Sequence, residues 1–416
     1  LVVLVFFYII CLENVWSTPK SEKLKEEIDA ILQKYKPKGT HVGISIFSIS
    51  EDKYLYEVNS NKHFVVASNM KLFTTATALV YLGAGFEYKT EIFYRGDIII
   101  KGSGDPNISG RFFDGNVTAV PDYWADKIKK YGIQVINGDI IADDRIFDRE
   151  FVHSNWPKDQ LTKWYCAPVS GLSFNDNCVD IKVKPGSKPG GLISVQIEPE
   201  TSYITIINKC KTTSLKSKHY YSLYRKPFTN QINLKGFVWS KAKPTKEWMT
   251  IHNPPLYLAT VFKEILEDKN IRITGEARVI NKSDINIRIK QHKLVATTSS
   301  LRQSITVANK RSQGFYAEQI LKTLGAIIKK EGTFSGGLAV ISDFITKLGI
   351  QEDHYHLDDG SGLSKKNKLT PEMFTRLLRY MYKHKNAGIF LKSLPIAGTD
   401  GTLKKRLKEE PYKSRI

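Results

Sequence analysis

The sequence predicts an α/β chain of the α+β kind, in which one helix-flanked domain is built from both ends and split by a β-rich insertion. Three observations carry this. Helical periodicity is strong near the start and again after residue 293. The stretch between breaks into short β-like runs divided by Gly, Pro and Asn. The length of 416 residues exceeds what one hydrophobic core usually serves. The expected division is a partial leader over 1–17, a split domain over 18–92 and 293–416, and inserted β-rich domains over 93–292.

In chain order, "LVVLVFFYIICLENVWS" reads as the apolar core of a secretory leader with a polar end, and the small residues Val15 and Ser17 permit cleavage after Ser17. A buried strand is the alternative. The run is too short to cross a bilayer, so no stable membrane span is expected. Cys11 is a poor lipid-anchor site because Ile10 precedes it. An amphipathic helix follows over 21–36, ended by Pro37 and Gly39, then two strands, "HVGISIFSIS" and "KYLYEV", parted by the polar turn "EDK". Leu72, Phe73, Ala76, Leu79 and Val80 recur at helical spacing, with Gly83 and Gly85 as a stop. The middle carries segments such as "GDIIIKGSGDP", "GDIIADDRIFD", "VDIKVKPG" and "SYITIIN", with helix only at "VPDYWADKIKKYG" and "PPLYLATVFKEILEDKN". Three helices follow: "GFYAEQILKTLGAIIKKEG", "GGLAVISDFITKLGI" and "TPEMFTRLLRYMYKHK", the last with Thr370 as N-cap and Pro371 in its first turn.

A formal net charge of +20 suits an anionic partner or environment. The lysines are scattered, and runs such as "TLKKRLK" are too short to be a nucleic-acid motif, so no nucleic-acid partner is expected. Beyond the leader lie Cys166, Cys178 and Cys210. Export permits a disulfide, and Cys178 and Cys210, both beside strand signals, are the candidate pair. No Cys/His spacing resembles a zinc site; "HYH" at His354–His356 reads as a strand edge, and "KGSGDP" as a turn because it lacks the Gly-Lys-Ser/Thr ending of a phosphate loop.

The candidate chemistry lies at Ser68 and Lys71. Ser-x-x-Lys also occurs at Ser17/Lys20, Ser50/Lys53 and Ser240/Lys243, but only Ser68 stands between strands and an apolar helix, where i and i+3 share a face. Taken alone, the stretch leaves two readings open: a serine nucleophile with its base, or a helix N-cap followed by a solvated lysine.

Seven segments together resemble the D-alanyl-D-alanine carboxypeptidases/endopeptidases of the penicillin-binding protein 4 type, peptidase family S13. They are "ASNMKLFTTA", "KGSGDP", "GDIIADDRIFD", "WYCAPVSGLSFNDNCVD", "NKRSQGFYAEQILKTLG", "DDGSGLSKKNKLTP" and "LPIAGTDGTLKKRL". They occur in the family's order and span nearly the whole chain after the leader. The resemblance implies a penicillin-recognising domain, an antiparallel sheet flanked by helices, interrupted by inserted β-rich domains. It implies an exported, periplasmic or envelope-associated enzyme that hydrolyses the terminal D-Ala–D-Ala bond of peptidoglycan stem peptides, and in many members the cross-link, and that β-lactams acylate. No metal or organic cofactor is implied.

It further implies that Ser68 attacks, with Lys71 as base once burial and a second cation depress its pKa, and that the Ser68 N–H supplies half of an oxyanion hole. Ser312, in "RSQGFYAE", takes the place of the proton-shuttling serine; as a bare residue it also reads as a helix N-cap. Gly314 stands where the family has a substrate-binding asparagine, which predicts reduced rate or altered selectivity. The family's Lys-Thr-Gly does not occur after "LPIAGTDGTLKKRL", so the sequence is expected to be cut at both ends, poorly active and poorly soluble, with an edge of its site missing. "DDGSGLS" reads as a tight turn near the cleft without a catalytic role. Two other readings remain: a non-catalytic wall-binding protein that keeps the scaffold, motivated by Gly314, and a β-lactamase, for which no deacylating residue stands out.

Overall fold

The computed structural model describes residues 18–285 and 292–414; the leader and Cys11 lie outside the described residues. Helix α1 (Thr18–Tyr35) leads into β1 (Ile44–Ser48) and β2 (Lys53–Val58), then α2 (Met70–Tyr81). Strands β3 (Glu87–Tyr94) and β4 (Ile98–Lys101), helix α3 (Ala119–Lys130), strand β5 (Ile140–Asp143), helix α4 (Pro254–Asp268) and strand β6 (Ala277–Val279) follow. The chain returns through β7 (His292–Ser300) to α5 (Leu301–Lys310), α6 (Gly314–Leu324), α7 (Phe334–Lys347) and α8 (Pro371–Lys383).

β1 and β2 pair antiparallel, with an irregularity between Ile46 and Phe47. Helices cover the pair: Thr375 of α8 donates to Ser45 Oγ at 2.9 Å, and Tyr56 donates to Asp29 of α1 at 2.5 Å. A mixed five-stranded sheet runs β6-β5-β4-β3-β7, parallel from β6 to β4 and antiparallel across β3. Helix α4 bridges the parallel strands β5 and β6, as a parallel connection requires. Two three-stranded sheets lie between β5 and α4; one pairs Cys178–Lys184 with Ser194–Glu198 and Thr245–Thr250, the other joins Thr205–Thr213, Gln231–Trp239 and Tyr220–Arg225.

Two large hydrophobic clusters form, beside a small one of Ile99, Ile141 and Ile280. One gathers Met70, Phe73, Leu301, Phe315, Ile320, Phe344 and Phe374 from both chain ends, joined by Phe147, Trp156 and Val169. The other gathers Ile92, Ile98, Trp124, Ile140, Phe262 and Leu294 from the sheet and its helices. Helix α8 shows why the late segments dock. Thr370 accepts from Met373 N at 3.3 Å, and Met373, Phe374, Leu377 and Met381 bury one face. Each such side chain stabilises by about 1.5–3 kcal/mol. Phe374 meets Phe73 of α2 edge-on, with ring centroids 5.2 Å apart.

The expected disulfide does not form: Cys166, Cys178 and Cys210 are free and buried. Cys178 joins the first cluster and Cys210 the second, so their side chains point into different cores. Of the two histidines read as a strand edge in "HYH", His356 forms an isolated antiparallel bridge with Lys368, whereas His354 ends a short turn, Glu352–His354.

Candidate active site

Ser68 lies in a single tight turn, Ala67–Asn69, that runs directly into α2. Neither Ser68 nor Asn69 caps α2 with its side chain, so the capping reading of Ser68 is not what the fold uses. Lys71 Nζ lies 3.0 Å from Ser68 Oγ and donates to the Ser361 carbonyl at 2.6 Å. Ser68 is exposed while Lys71 is 4% exposed, which puts a hydroxyl at the surface above a buried amine.

Burial lowers the Lys71 pKa to about 8, although Asp359, Glu318 and Cys166 pull it upward. This corrects the expectation of a second cation. The charged neighbours of this lysine are acidic, and desolvation alone frees the amine.

The segment after Asp358 closes the site from the far end of the chain. Asp359 accepts from the Gly362 and Ser364 N–H groups at 2.7 Å each, from Asn367 Nδ2 at 2.7 Å and from Trp156 Nε1 at 3.0 Å. Glu318, on α6, accepts from Ser361 N at 2.7 Å and Gly360 N at 3.1 Å. Thr74, one turn along α2, donates to the Gly360 carbonyl at 2.7 Å. Gly362 has φ of +78°, and a Cβ there would fall 1.7 Å from the Ala67 carbonyl, so only glycine lets this turn lie against the Ser68 segment.

Ser312 joins α5 to α6 with φ of +53°, an unusual conformation for a non-glycine residue. It is not the cap of α6; that place belongs to Gln313, which makes no side-chain capping bond. Among the described residues no hydrogen bond joins the Ser312 hydroxyl to Ser68 or Lys71. Gly314 opens α6 beside the turn, 3.6 Å from Ser361 Cβ to its virtual Cβ, which would also lie 2.5 Å from the Tyr165 carbonyl. On this backbone an asparagine does not fit. Asn309 ties the region to α2 through Thr75 Oγ1 at 3.2 Å and holds Ser393 Oγ at 2.8 Å.

Gln313 lines a cavity of about 550 Å³ together with Arg111, Asp176, Trp164 and Trp248; Ser68, Lys71 and Ser312 do not line it. Among the described residues no cluster of three or more His, Cys, Asp or Glu side chains is placed to hold a metal ion. Sequence reasoning missed Glu318 and took "DDGSGLS" for a turn alone. The signal was faint: Glu318 falls four residues after Gly314, on the same helix face.

The chain shares the fold of the penicillin-binding peptidases. It superposes on penicillin binding protein 4 (dacB) from Haemophilus influenzae with a TM-score of 0.77 and 21% identity, over 93% of this chain and 85% of that one. The model of the D-Ala-D-Ala carboxypeptidase 3 (S13) family matches residues 24–415, and the protein belongs to that family. Among curated relatives, the D-alanyl-D-alanine carboxypeptidase of Actinomadura sp. (strain R39) is 28% identical over 93% of this chain and 74% of its own. D-alanyl-D-alanine carboxypeptidase DacB of H. influenzae is 24% identical over 89% and 77%, and penicillin-sensitive carboxypeptidase A of Dictyostelium discoideum 26% over 90% and 75%.

Proposed function

We propose that the protein is an exported serine D-alanyl-D-alanine carboxypeptidase that cleaves peptidoglycan stem peptides through an acyl-enzyme on Ser68. The reading rests on one observation above others: a buried lysine whose pKa is lowered to about 8 sits 3.0 Å from an exposed serine hydroxyl. In its neutral form Lys71 takes the Ser68 proton as Oγ attacks the penultimate D-Ala carbonyl. The tetrahedral oxyanion forms at the amino end of α2, where the Ser68 N–H supplies a donor. Collapse breaks the peptide bond, the departing D-Ala amine takes a proton, and Ser312 is the group we assign to that transfer. Water then attacks the ester, the proton returns to Ser68 Oγ, and the shortened peptide leaves. Cross-link cleavage needs the same steps on a longer leaving group. β-Lactams acylate the same serine by opening their ring.

A non-catalytic reading is favoured by Gly314, which offers no side-chain amide. Incubation with a fluorescent penicillin, followed by mass mapping, separates the two. A covalent adduct on Ser68, absent in Ser68→Ala, together with release of free D-Ala from a pentapeptide, supports the enzyme. A folded protein with neither leaves the wall-binding reading.

A further inference from the structure

We propose that Glu318 is a positioning residue for the reaction: its carboxylate grips the backbone N–H groups of Gly360 and Ser361 and thereby holds Lys71 Nζ on Ser68 Oγ. The inference rests on the enzymatic reading above.

The geometry forms one continuous relay. Glu318 is 0% exposed and spends both oxygens on neighbouring backbone donors, Oε1 on Ser361 N at 2.7 Å and Oε2 on Gly360 N at 3.1 Å. The carbonyls of the same two residues face α2, where Thr74 donates to Gly360 O at 2.7 Å and Lys71 to Ser361 O at 2.6 Å. The Gly360–Ser361 peptide unit is therefore clamped between a carboxylate on α6 and Thr74 on α2, and the Ser361 carbonyl that takes Lys71 follows directly on it. A carboxylate that polarises a peptide N–H makes the carbonyl of that same unit, here Gly360 O, a better acceptor for Thr74. Gly314, one helical turn before Glu318, leaves the space for Ser361 to approach α6 and has no side chain to hold the lysine itself. The hold on Lys71 thus passes to the backbone that Glu318 fixes.

A purely structural role for Glu318 is the rival account, and charge separates the two. Around Lys71 the facing groups are Asp359 from the turn, Glu318 from α6 and the Cys166 thiol from the segment before Ala167; Lys322, further along α6, is paired with Asp148. Burial, and Asp359 next, raise the Glu318 pKa to about 8 against the pull of its Ser361 and Gly360 hydrogen bonds, so its negative charge develops over the pH range in which Lys71 loses its proton.

The test is the rate of Ser68 acylation by a fluorescent penicillin from pH 6 to 10, in the wild type, Glu318→Gln and Glu318→Asp. Removing the negative charge makes the Lys71 ammonium less favourable. The rising limb in Glu318→Gln is therefore expected about 1 pH unit lower than in the wild type. The misplaced turn is expected to lower its plateau at least tenfold. Glu318→Asp keeps the charge but cannot reach both N–H groups, so its plateau falls and its limb stays. Limbs that coincide in all three, whatever the plateaus, overturn the proposal and leave Glu318 a packing residue. If Glu318→Gln does not fold, Glu318→Asp decides alone: a wild-type plateau overturns the proposal. No adduct on the wild-type protein overturns the enzymatic reading instead, a result that the mutants cannot mimic.

Discussion

Lys71 and Ser361 meet across 290 positions of chain, the lysine ammonium donating to the serine carbonyl at 2.6 Å. The contact joins the first helix of the site to a turn near the far end of the protein. It makes the base of the proposed reaction a property of both halves of the chain.

Acylation should rise with pH through about 8, because burial holds the Lys71 pKa there and only the neutral amine accepts the Ser68 proton. Lys71→Met is expected to lower the acylation rate by about 10²–10⁴-fold, the usual worth of a positioned base. Rates measured against pH, with circular dichroism to verify folding, check both statements.

The same lysine should cost stability. Its folded pKa lies below its ordinary 10.5, so between about 8 and 10.5 the unfolded chain binds a proton that the folded one does not. Stability contributed by this group therefore rises with pH across that window. Lys71→Met should accordingly be more stable at pH 7, by about 1–3 kcal/mol, and Ser68→Ala should change stability little. Denaturant melts at pH 7 and pH 10 provide the comparison.

Gly314→Asn should lose stability and acylate more slowly. The added Cβ would fall 2.5 Å from the Tyr165 carbonyl, a backbone atom that cannot swing aside. Overpacking of this kind costs about 1–3 kcal/mol. A variant that acylates faster than the wild type, at unchanged melting temperature, contradicts the steric argument.

Asp105 should make the fold acid-tolerant. Burial raises its pKa to about 6, with Ser299 and Asn107 as opposing donors. Its folded value exceeds the ordinary 3.8, so its contribution is complete below about pH 4 and is lost as pH rises through 6. Both donors bind Oδ1, so the amide oxygen of Asp105→Asn can serve them. That variant should gain about 1–3 kcal/mol at pH 7 and lose the pH dependence between 4 and 6.

The three thiols should be silent until the protein unfolds. Cys166 and Cys210 are 0% exposed and Cys178 is 2% exposed, and burial pushes the Cys166 thiol up to about 12. A chain beginning at Thr18 should show no reaction with a thiol reagent when native. After denaturation without reductant it should show three.

Periodic and capping signals carried most of the fold. Thr370 and Pro371 marked α8 because one side-chain oxygen and one missing N–H suffice to start a helix. Ser68 and Lys71 were legible because their i, i+3 spacing, unlike the three other Ser-x-x-Lys pairs, falls where strands give way to an apolar helix. Glu318, Ser361 and Asp359 were not. Their meeting depends on how α6 and the turn pack on α2, and no spacing along the chain encodes a contact between distant segments. The pairing of Cys178 with Cys210 failed for the same reason: both adjoin strands, but their side chains point into different cores.

The tie between Lys71 and Ser361 also has a consequence in time. A chain made from its amino end presents Ser68 and Lys71 long before Ser361 exists. Until then the lysine has neither its carbonyl partner nor the roof that keeps water from its amine, and it stays charged like any surface lysine. The nucleophile is therefore inert through most of synthesis, and becomes competent only when the segment around Ser361 closes over it.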